Sequence, residues 1–244
     1  MFQIPDLALK AFAVIGALVV IRFVLQVLSG IWSWLFAPSF NYKRFQGKWA
    51  VVTGASDGLG AGFARNLARR GVNVVLLART TSKLDAIVKE INDQGKAKAK
   101  AIQFDFSSTD AKYWEEKVKQ LLEVQPDVLI NNVGINVEFP TPFVDVPADF
   151  YDKMVQVNIN TANRLTRFLL PGMLERKRGA VVFLSSGLGF MPGGLLSVYG
   201  ATKAYALTLA VNLQQELAGT GVIVQCYAPG LVQSLMSKVP CYCL

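Results

Sequence analysis

No histidine occurs among the 244 residues, which removes the commonest general base near neutral pH, His-based nucleophilic triads and most zinc sites. Proton transfer must therefore fall to Tyr, Lys, Asp, Glu or Ser. Cysteine is also scarce: Cys226, Cys241 and Cys243 stand at no metal-ligand spacing, and no metal site is expected. Charged residues make up only 17% of the chain, and 25 Lys and Arg against 17 Asp and Glu leave a net charge of +8. Those cations are spread through helical stretches rather than gathered in one arm, so no nucleic-acid partner is expected. Solvated helix faces, with some attraction to anionic lipid or a phosphorylated ligand, account for the excess.

What the chain has in abundance is apolar surface, at 52% hydrophobic residues, and much of it lies in one place. Residues 11–36, "AFAVIGALVVIRFVLQVLSGIWSWLF", are interrupted by strongly polar side chains only at Arg22 and Gln26 and end in Trp32 and Trp34. About 20 such residues can cross a bilayer, and tryptophans suit its interface. No A-x-A-like cleavage pattern follows, which disfavours a signal peptide. A buried core helix fits poorly because the glycine-rich domain that follows looks complete without it, whereas a hairpin or in-plane anchor stays open because Arg22 sits mid-run. Attachment to the lipid bilayer is the expectation. Lys43, Arg44 and Lys48 follow the segment, against Lys10 and Asp6 before it, so the globular part is expected on the cytosolic side.

From residue 48 onward the pattern alternates strand and helix. Short apolar runs occur at 49–55, 73–79, 101–106, 127–134, 180–186 and 222–230, separated by stretches with apolar residues at helical spacing. Continuous apolar strands between helices predict a doubly wound α/β fold, a parallel sheet covered on both faces, with ligands beyond the carboxyl ends of its strands. The domain division expected is 1–44 as anchor and basic linker and 45–244 as a dinucleotide-binding domain.

After the first run comes "TGASDGLG", residues 53–60, in which Gly54, Gly58 and Gly60 enclose Ser56 and Asp57 and open a helix. Glycines there permit a tight turn and close approach of a pyrophosphate to the backbone, and the helix N-terminus offers N–H groups and a positive dipole end. NAD binders place an acid about 20 residues on to hold the ribose 2′-hydroxyl. Here the second run ends in Ala78 and Arg79, with Lys83 following. A guanidinium pairs with a 2′-phosphate, so NADP (NADPH) is the expected cofactor, although Arg79 can also be read as a plain surface arginine. Asp105, expected to end the third strand, is placed to accept a bond from an adenine amino group. Asn131 and Asn132, ending the fourth, are placed to order a turn and line the nucleotide pocket.

In "SVYGATKAYAL", residues 197–207, Tyr199 and Lys203 are four apart and so share one helical face. A phenol of ordinary pKa about 10 shuttles protons poorly near neutrality, and an adjacent ammonium lowers that value. "TGASDGLG", "NNVG", a serine thirteen residues before the tyrosine of "YGATK" and "PG" after the last strand together resemble the short-chain dehydrogenase/reductases, over residues 47–235. Within that family, "WAVVTGASDGLG", "NNVGINVEFPTPFVDVP", "LPGMLERKRGAVVFLSSG" and "LVQSLMSK" look like the very-long-chain 3-ketoacyl-CoA reductases of the endoplasmic reticulum membrane, relatives of the 17β-hydroxysteroid dehydrogenases.

The resemblance implies that Tyr199 donates a proton to a substrate carbonyl oxygen and that Lys203 also holds the nicotinamide ribose. Ser186, chosen over Ser185 by the thirteen-residue step, is implied to hydrogen-bond the substrate oxygen. Asn158 matches a helix asparagine that holds a water linking Lys203 to solvent, with Asn160 as its competitor. Pro229, Gly230, Val232 and Ser234 correspond to a loop covering the nicotinamide. The implied activity is NADPH-dependent reduction of a long-chain 3-ketoacyl-CoA in fatty-acid elongation, beside other elongation enzymes and with a possible homodimer. A steroid or retinoid dehydrogenase, and a catalytically weak membrane scaffold, are the alternatives. Family members continue through a helix pair and a seventh strand, so 45–244 is expected to lack the usual C-terminal part. The final "CYCL" also fits a prenylation box, with coincidence the favoured reading.

Overall fold

The computed structural model describes residues 6–36 and 41–230 and divides into two compact units, Met1–Asn41 and Tyr42–Leu244. In the first unit, α1 (Asp6–Phe36) runs for 31 residues without a proline, and continues through Gly16 and Gly30. The apolar stretch is therefore one continuous helix and not a hairpin. Its part from Asp6 to Trp32, 27 residues of mean hydropathy 2.4, is long and apolar enough to cross a bilayer, and no residue of its apolar window is buried.

The second unit is built on strands β1 (Trp49–Thr53), β2 (Asn73–Ala78), β3 (Ala99–Gln103), β4 (Val128–Asn131), β5 (Gly179–Leu184) and β6 (Val222–Tyr227). Among the described residues they form one parallel sheet in the order β3-β2-β1-β4-β5-β6, the doubly wound arrangement expected. The crossovers contain α2 (Gly58–Arg69), α3 (Thr81–Asp93), α4 (Ala111–Leu122), α5 (Ala148–Val155), α6 (Thr161–Glu175) and α7 (Ser197–Glu216). The order reverses between β1 and β4, and there a cleft opens beyond the strand ends. All six residues of β5, and all but the first of β1 and β2, are buried, as covering helices on both faces require.

The runs at 127–134 and 222–230 yield shorter strands, and the third run is displaced: 101–106 becomes 99–103. β3 is the edge strand, so it need not be continuously apolar, and Lys100 sits within it in register with Val75. Phe104 and Phe106 leave the ladder to stack on each other at 4.8 Å, with Phe104 edge-on to Trp114 of α4 at 5.0 Å. Asp105 therefore lies two residues beyond the strand rather than at its end.

Tyr42, Lys43 and Arg44, expected in the linker, form a 3₁₀ turn with Phe45, the first residue of the expected domain, which is fully buried. Arg44 Nη2 donates to the carbonyls of Lys177 and Gly221 at 2.8 and 2.9 Å. Asp127, 1% exposed, accepts from Arg176 Nε at 2.8 Å and Arg178 Nε at 2.7 Å. A buried carboxylate needs such pairing, and this one ties the end of α6 and the approach to β5 to the entrance of β4.

Candidate active site

The glycine turn is fixed from below by a buried threonine. Thr53 Oγ1 donates to the Ile130 carbonyl at 3.1 Å and accepts from the N–H groups of Asn132 and Val133 at 2.9 and 3.0 Å. Asn132 Nδ2 in turn donates to the carbonyls of Thr53 and Gly54 at 2.8 and 3.2 Å. The turn-ordering role expected of the Asn pair thus falls to Asn132, which also lines the cleft. Asn131 is buried to one side, where its Nδ2 donates to Thr166 Oγ1 at 3.1 Å, and it is not among the cleft-lining residues. Thr53 carried no assigned role in the sequence; its position as the first residue of "TGASDGLG" was the available signal.

Gly54 has a φ of +63°, the left-handed conformation that favours glycine. Gly60 serves a different need: a Cβ there would stand 2.2 Å from the Gly54 carbonyl oxygen, so its bare Cα lets α2 start hard against the turn. No side chain of Asp57 caps α2, which leaves first-turn N–H groups and the positive dipole end facing the cleft where a pyrophosphate fits. Gly60→Ala is expected to destabilise the domain by about 1–3 kcal/mol through overpacking and to weaken dinucleotide binding about tenfold. Thermal unfolding combined with nucleotide titration checks this, and an unchanged variant would remove the close approach from the account.

The cleft has a volume of about 610 Å³, ample for a cofactor-sized ligand. Gly54, Ser56, Asp57 and Gly58 line one end together with Arg79, Lys83 and Asp105; Pro229 and Gly230 line the other with Ser186, Tyr199 and Lys203. Arg79 is exposed just beyond the end of β2 and lines the cleft. Asp105 Oδ1 accepts from Ser107 N and Ser107 Oγ at 3.0 and 2.7 Å, and the Ser107 hydroxyl holds the carboxyl below its usual range. Val232 and Ser234, and the terminal "CYCL", lie outside the described residues.

At the other end Ser186, Tyr199 and Lys203 line the cleft, and Asn158 is buried behind them. Lys203 is buried, and its Nζ donates to the Leu184 carbonyl at 2.8 Å and stands 5.6 Å from the Tyr199 ring centroid. Ser186 Oγ accepts from Leu188 N at 3.3 Å, and its hydroxyl faces Tyr199 closely enough to favour the phenolate. Ser185 points the other way: its buried Oγ donates to the Lys203 carbonyl at 2.7 Å, tying α7 to β5. Asn158 is buried within a π turn, Gln156–Asn160, between α5 and α6. Its Oδ1 accepts from Ile135 N at 2.8 Å, and its Nδ2 donates to Ile135 O and Thr202 Oγ1, both at 3.0 Å. Asn160 instead donates to Gln156 Oε1 at 2.9 Å.

The expected depression of the Tyr199 pKa by Lys203 is not what this geometry produces. Burial raises the phenol, the Ser186 hydroxyl offsets part of that rise, and burial lowers Lys203 from 10.5 to about 8. The ammonium is aimed at a backbone carbonyl and lies over the ring, so its field does not favour the phenolate enough to overcome desolvation. Tyr199 is therefore a neutral phenol at pH 7, the protonation state that a proton donor requires.

Residues 48–239 match the model of the family described as short chain dehydrogenase. The chain belongs to the short-chain dehydrogenase family. This short-chain dehydrogenase is 41% identical over 196 residues to the very-long-chain 3-oxoacyl-CoA reductase of Anas platyrhynchos, covering 79% of this chain and 62% of that protein. It is 36% identical over 229 residues to very-long-chain 3-oxoacyl-CoA reductase-A of Danio rerio, covering 93% of this chain and 71% of the other. A crystallised short-chain dehydrogenase from Sphingobium yanoikuyae, in complex with NADPH, superposes with a TM-score of 0.72 at 32% identity, covering 78% of this chain and 73% of that one. The short-chain dehydrogenase described here thus spans 62% of the length of the first of these relatives.

Proposed function

We propose that the chain is an NADPH-dependent reductase of long-chain 3-ketoacyl-CoA, held on the endoplasmic reticulum membrane by α1 with its catalytic unit facing the cytosol. The observation that carries the chemistry is the convergence of Ser186, Tyr199 and Lys203 at one end of a cleft, with Asn158 buried behind them, while the other end presents Arg79 and a glycine turn. Bound NADPH supplies the hydride for the carbonyl carbon. Tyr199 donates its phenolic proton to the carbonyl oxygen, giving a 3-hydroxyacyl product, while Ser186 hydrogen-bonds the same oxygen and stabilises its developing charge. Lys203 presents a buried cation that would hold the nicotinamide ribose of the bound cofactor. Asn158 fixes the 135 loop and, through Thr202, the turn of α7 that bears Tyr199.

The substrate side supports a long aliphatic ligand. Ile135, Val137, Pro140, Leu188 and Leu196 line it. The loops beyond them carry exposed Phe139, Phe143, Phe190, Met191 and Leu195, joined by the bond from Thr141 N to Leu195 O at 3.0 Å. The likeness to very-long-chain 3-oxoacyl-CoA reductases favours the acyl-CoA reading over a steroid or retinoid. NADPH oxidation by membranes containing the chain, measured in parallel with a long-chain 3-ketoacyl-CoA, a ketosteroid and a retinal, decides it. Turnover of the steroid without the acyl-CoA would overturn the substrate assignment.

Arg79 gives a separate test of the cofactor. A guanidinium–phosphate bond is charge-assisted, and a carboxylate in its place repels the phosphate. Arg79→Glu is expected to shift the NADPH/NADH ratio of kcat/KM about 10–100-fold toward NADH. An unchanged ratio would return Arg79 to the status of a surface arginine.

A further inference from the structure

From Ala11 to Trp32 every residue of α1 is apolar or glycine except Arg22, Gln26 and Ser29. These stand at i, i+4 and i+7, which helical geometry gathers within about 60° of one another. With Leu18, Ile21 and Leu25 they line one shallow groove along the helix. Ser29 Oγ donates to the Gln26 carbonyl at 2.9 Å, so its hydroxyl proton is satisfied within the helix and its lone pairs remain on the groove side. A polar stripe this narrow does not suit a helix lying in the interfacial plane, which needs a broad polar face.

Depth makes the stripe consequential. Arg22 stands ten residues before Trp32 and eleven after Ala11, about 15 Å from either end of an apolar span of about 30 Å. Even the long arginine stem, which lets a guanidinium snorkel from near a helix end, does not span about 15 Å, and an ionised group at mid-bilayer is costly without a partner. No aspartate or glutamate occurs between residues 7 and 56. A second copy of the chain therefore has no carboxylate to offer at that depth, and a parallel pair would bring two guanidinium groups together.

Resting on the reading of α1 as a spanning helix, we propose that the Arg22–Gln26–Ser29 stripe is the docking seam for a transmembrane helix of a different protein that carries a carboxylate at mid-bilayer depth. The carboxylate accepts from the Arg22 guanidinium. Gln26 and Ser29 hydrogen-bond the same helix one and two turns further along.

The test uses the full chain, donor-labelled and reconstituted in phosphatidylcholine vesicles, with acceptor-labelled leucine-rich transmembrane peptides bearing Glu, Leu or Lys at the centre. Energy transfer is expected to show association with the Glu peptide about tenfold stronger than with the Leu peptide and no gain for Lys. Arg22→Leu, which leaves the helix more apolar and still able to insert, is expected to abolish the Glu preference, and Arg22→Lys to restore part of it. Equal association with Glu and Leu peptides, or a preference surviving in Arg22→Leu, overturns the proposal. Self-association stronger than Glu-peptide binding overturns it in favour of a second copy. Protease protection of the reconstituted chain separates the two layers. A helix that is not inserted removes the spanning reading and the seam together, whereas an inserted helix without Glu preference removes the seam alone.

Discussion

Replacing Tyr199 by Phe is expected to lower kcat for ketone reduction by about 10²–10⁴-fold, the range by which a positioned proton donor accelerates such a step, while NADPH binding stays close to wild type. The phenol oxygen is the only atom removed, and the ring keeps its packing beside Lys203. Because burial holds the phenol above its ordinary value, Tyr199 stays protonated through neutral pH. The first group to change charge on the alkaline side is Lys203, at about 8. The kcat/KM for reduction is therefore expected to hold across neutral pH and to fall with an alkaline limb near pH 8. Steady-state rates across the pH range, with nucleotide affinity measured separately by fluorescence, check both parts. Full activity of Tyr199→Phe would sink the mechanism.

Lys203→Met is expected to remove activity to a similar degree and, unusually for an active-site substitution, to cost little stability at neutral pH. Burial depresses the Lys203 pKa from 10.5 to about 8; at about 1.4 kcal/mol for each tenfold change this amounts to roughly 3 kcal/mol against the charged, folded form. With its folded value below its unfolded one, Lys203 holds fewer protons folded than unfolded between those two pH values. Wild-type stability accordingly gains from this group as pH rises from about 8 to 10.5, and below that window the penalty is constant. Methionine removes the penalty but leaves the Leu184 carbonyl without its donor, at about 1–3 kcal/mol. The variant should therefore match or slightly exceed wild type at pH 7 and fall behind it near pH 10. Denaturant midpoints at the two pH values measure the difference, from which titrations common to both proteins cancel. Parallel curves would show that Lys203 is not desolvated as the structure places it.

The order of β-strands and helices was legible from residue 48 onward because a parallel sheet covered on both faces leaves its strands no polar side, and uninterrupted apolar runs result. Where that reason fails the boundary moved: β3 lies at the sheet edge and tolerates Lys100, so its start at Ala99 was hidden, and Phe104 and Phe106 had the apolarity of a strand but the job of packing on Trp114. The glycine turn, Arg79 and the Tyr199–Lys203 pair were equally visible, since each depends on local spacing that the chain cannot disguise. The long apolar run of α1 was visible too, but because Arg22 sits mid-run the choice between one helix and a hairpin was left to the structure.

Other features depended on residues far apart in the chain. Asn131 and Asn132 are equivalent as letters. Only the pairing of β1 with β4 turns one toward the glycine turn and the other toward Thr166. Ser185 and Ser186 directly follow β5 and face opposite ways, so one ties down α7 and the other faces Tyr199. The π turn at 156–160 has no propensity signature, yet it sets the part of the helix from which Asn158 reaches the 135 loop and Thr202. Desolvation was the largest thing the sequence could not express: spacing alone predicts a lysine that lowers the pKa of its tyrosine. The tertiary fold buries that lysine against a carbonyl, brings its own pKa down to about 8 and leaves the phenol protonated, because the strength of a charge is decided by how much water the surrounding structure leaves around it.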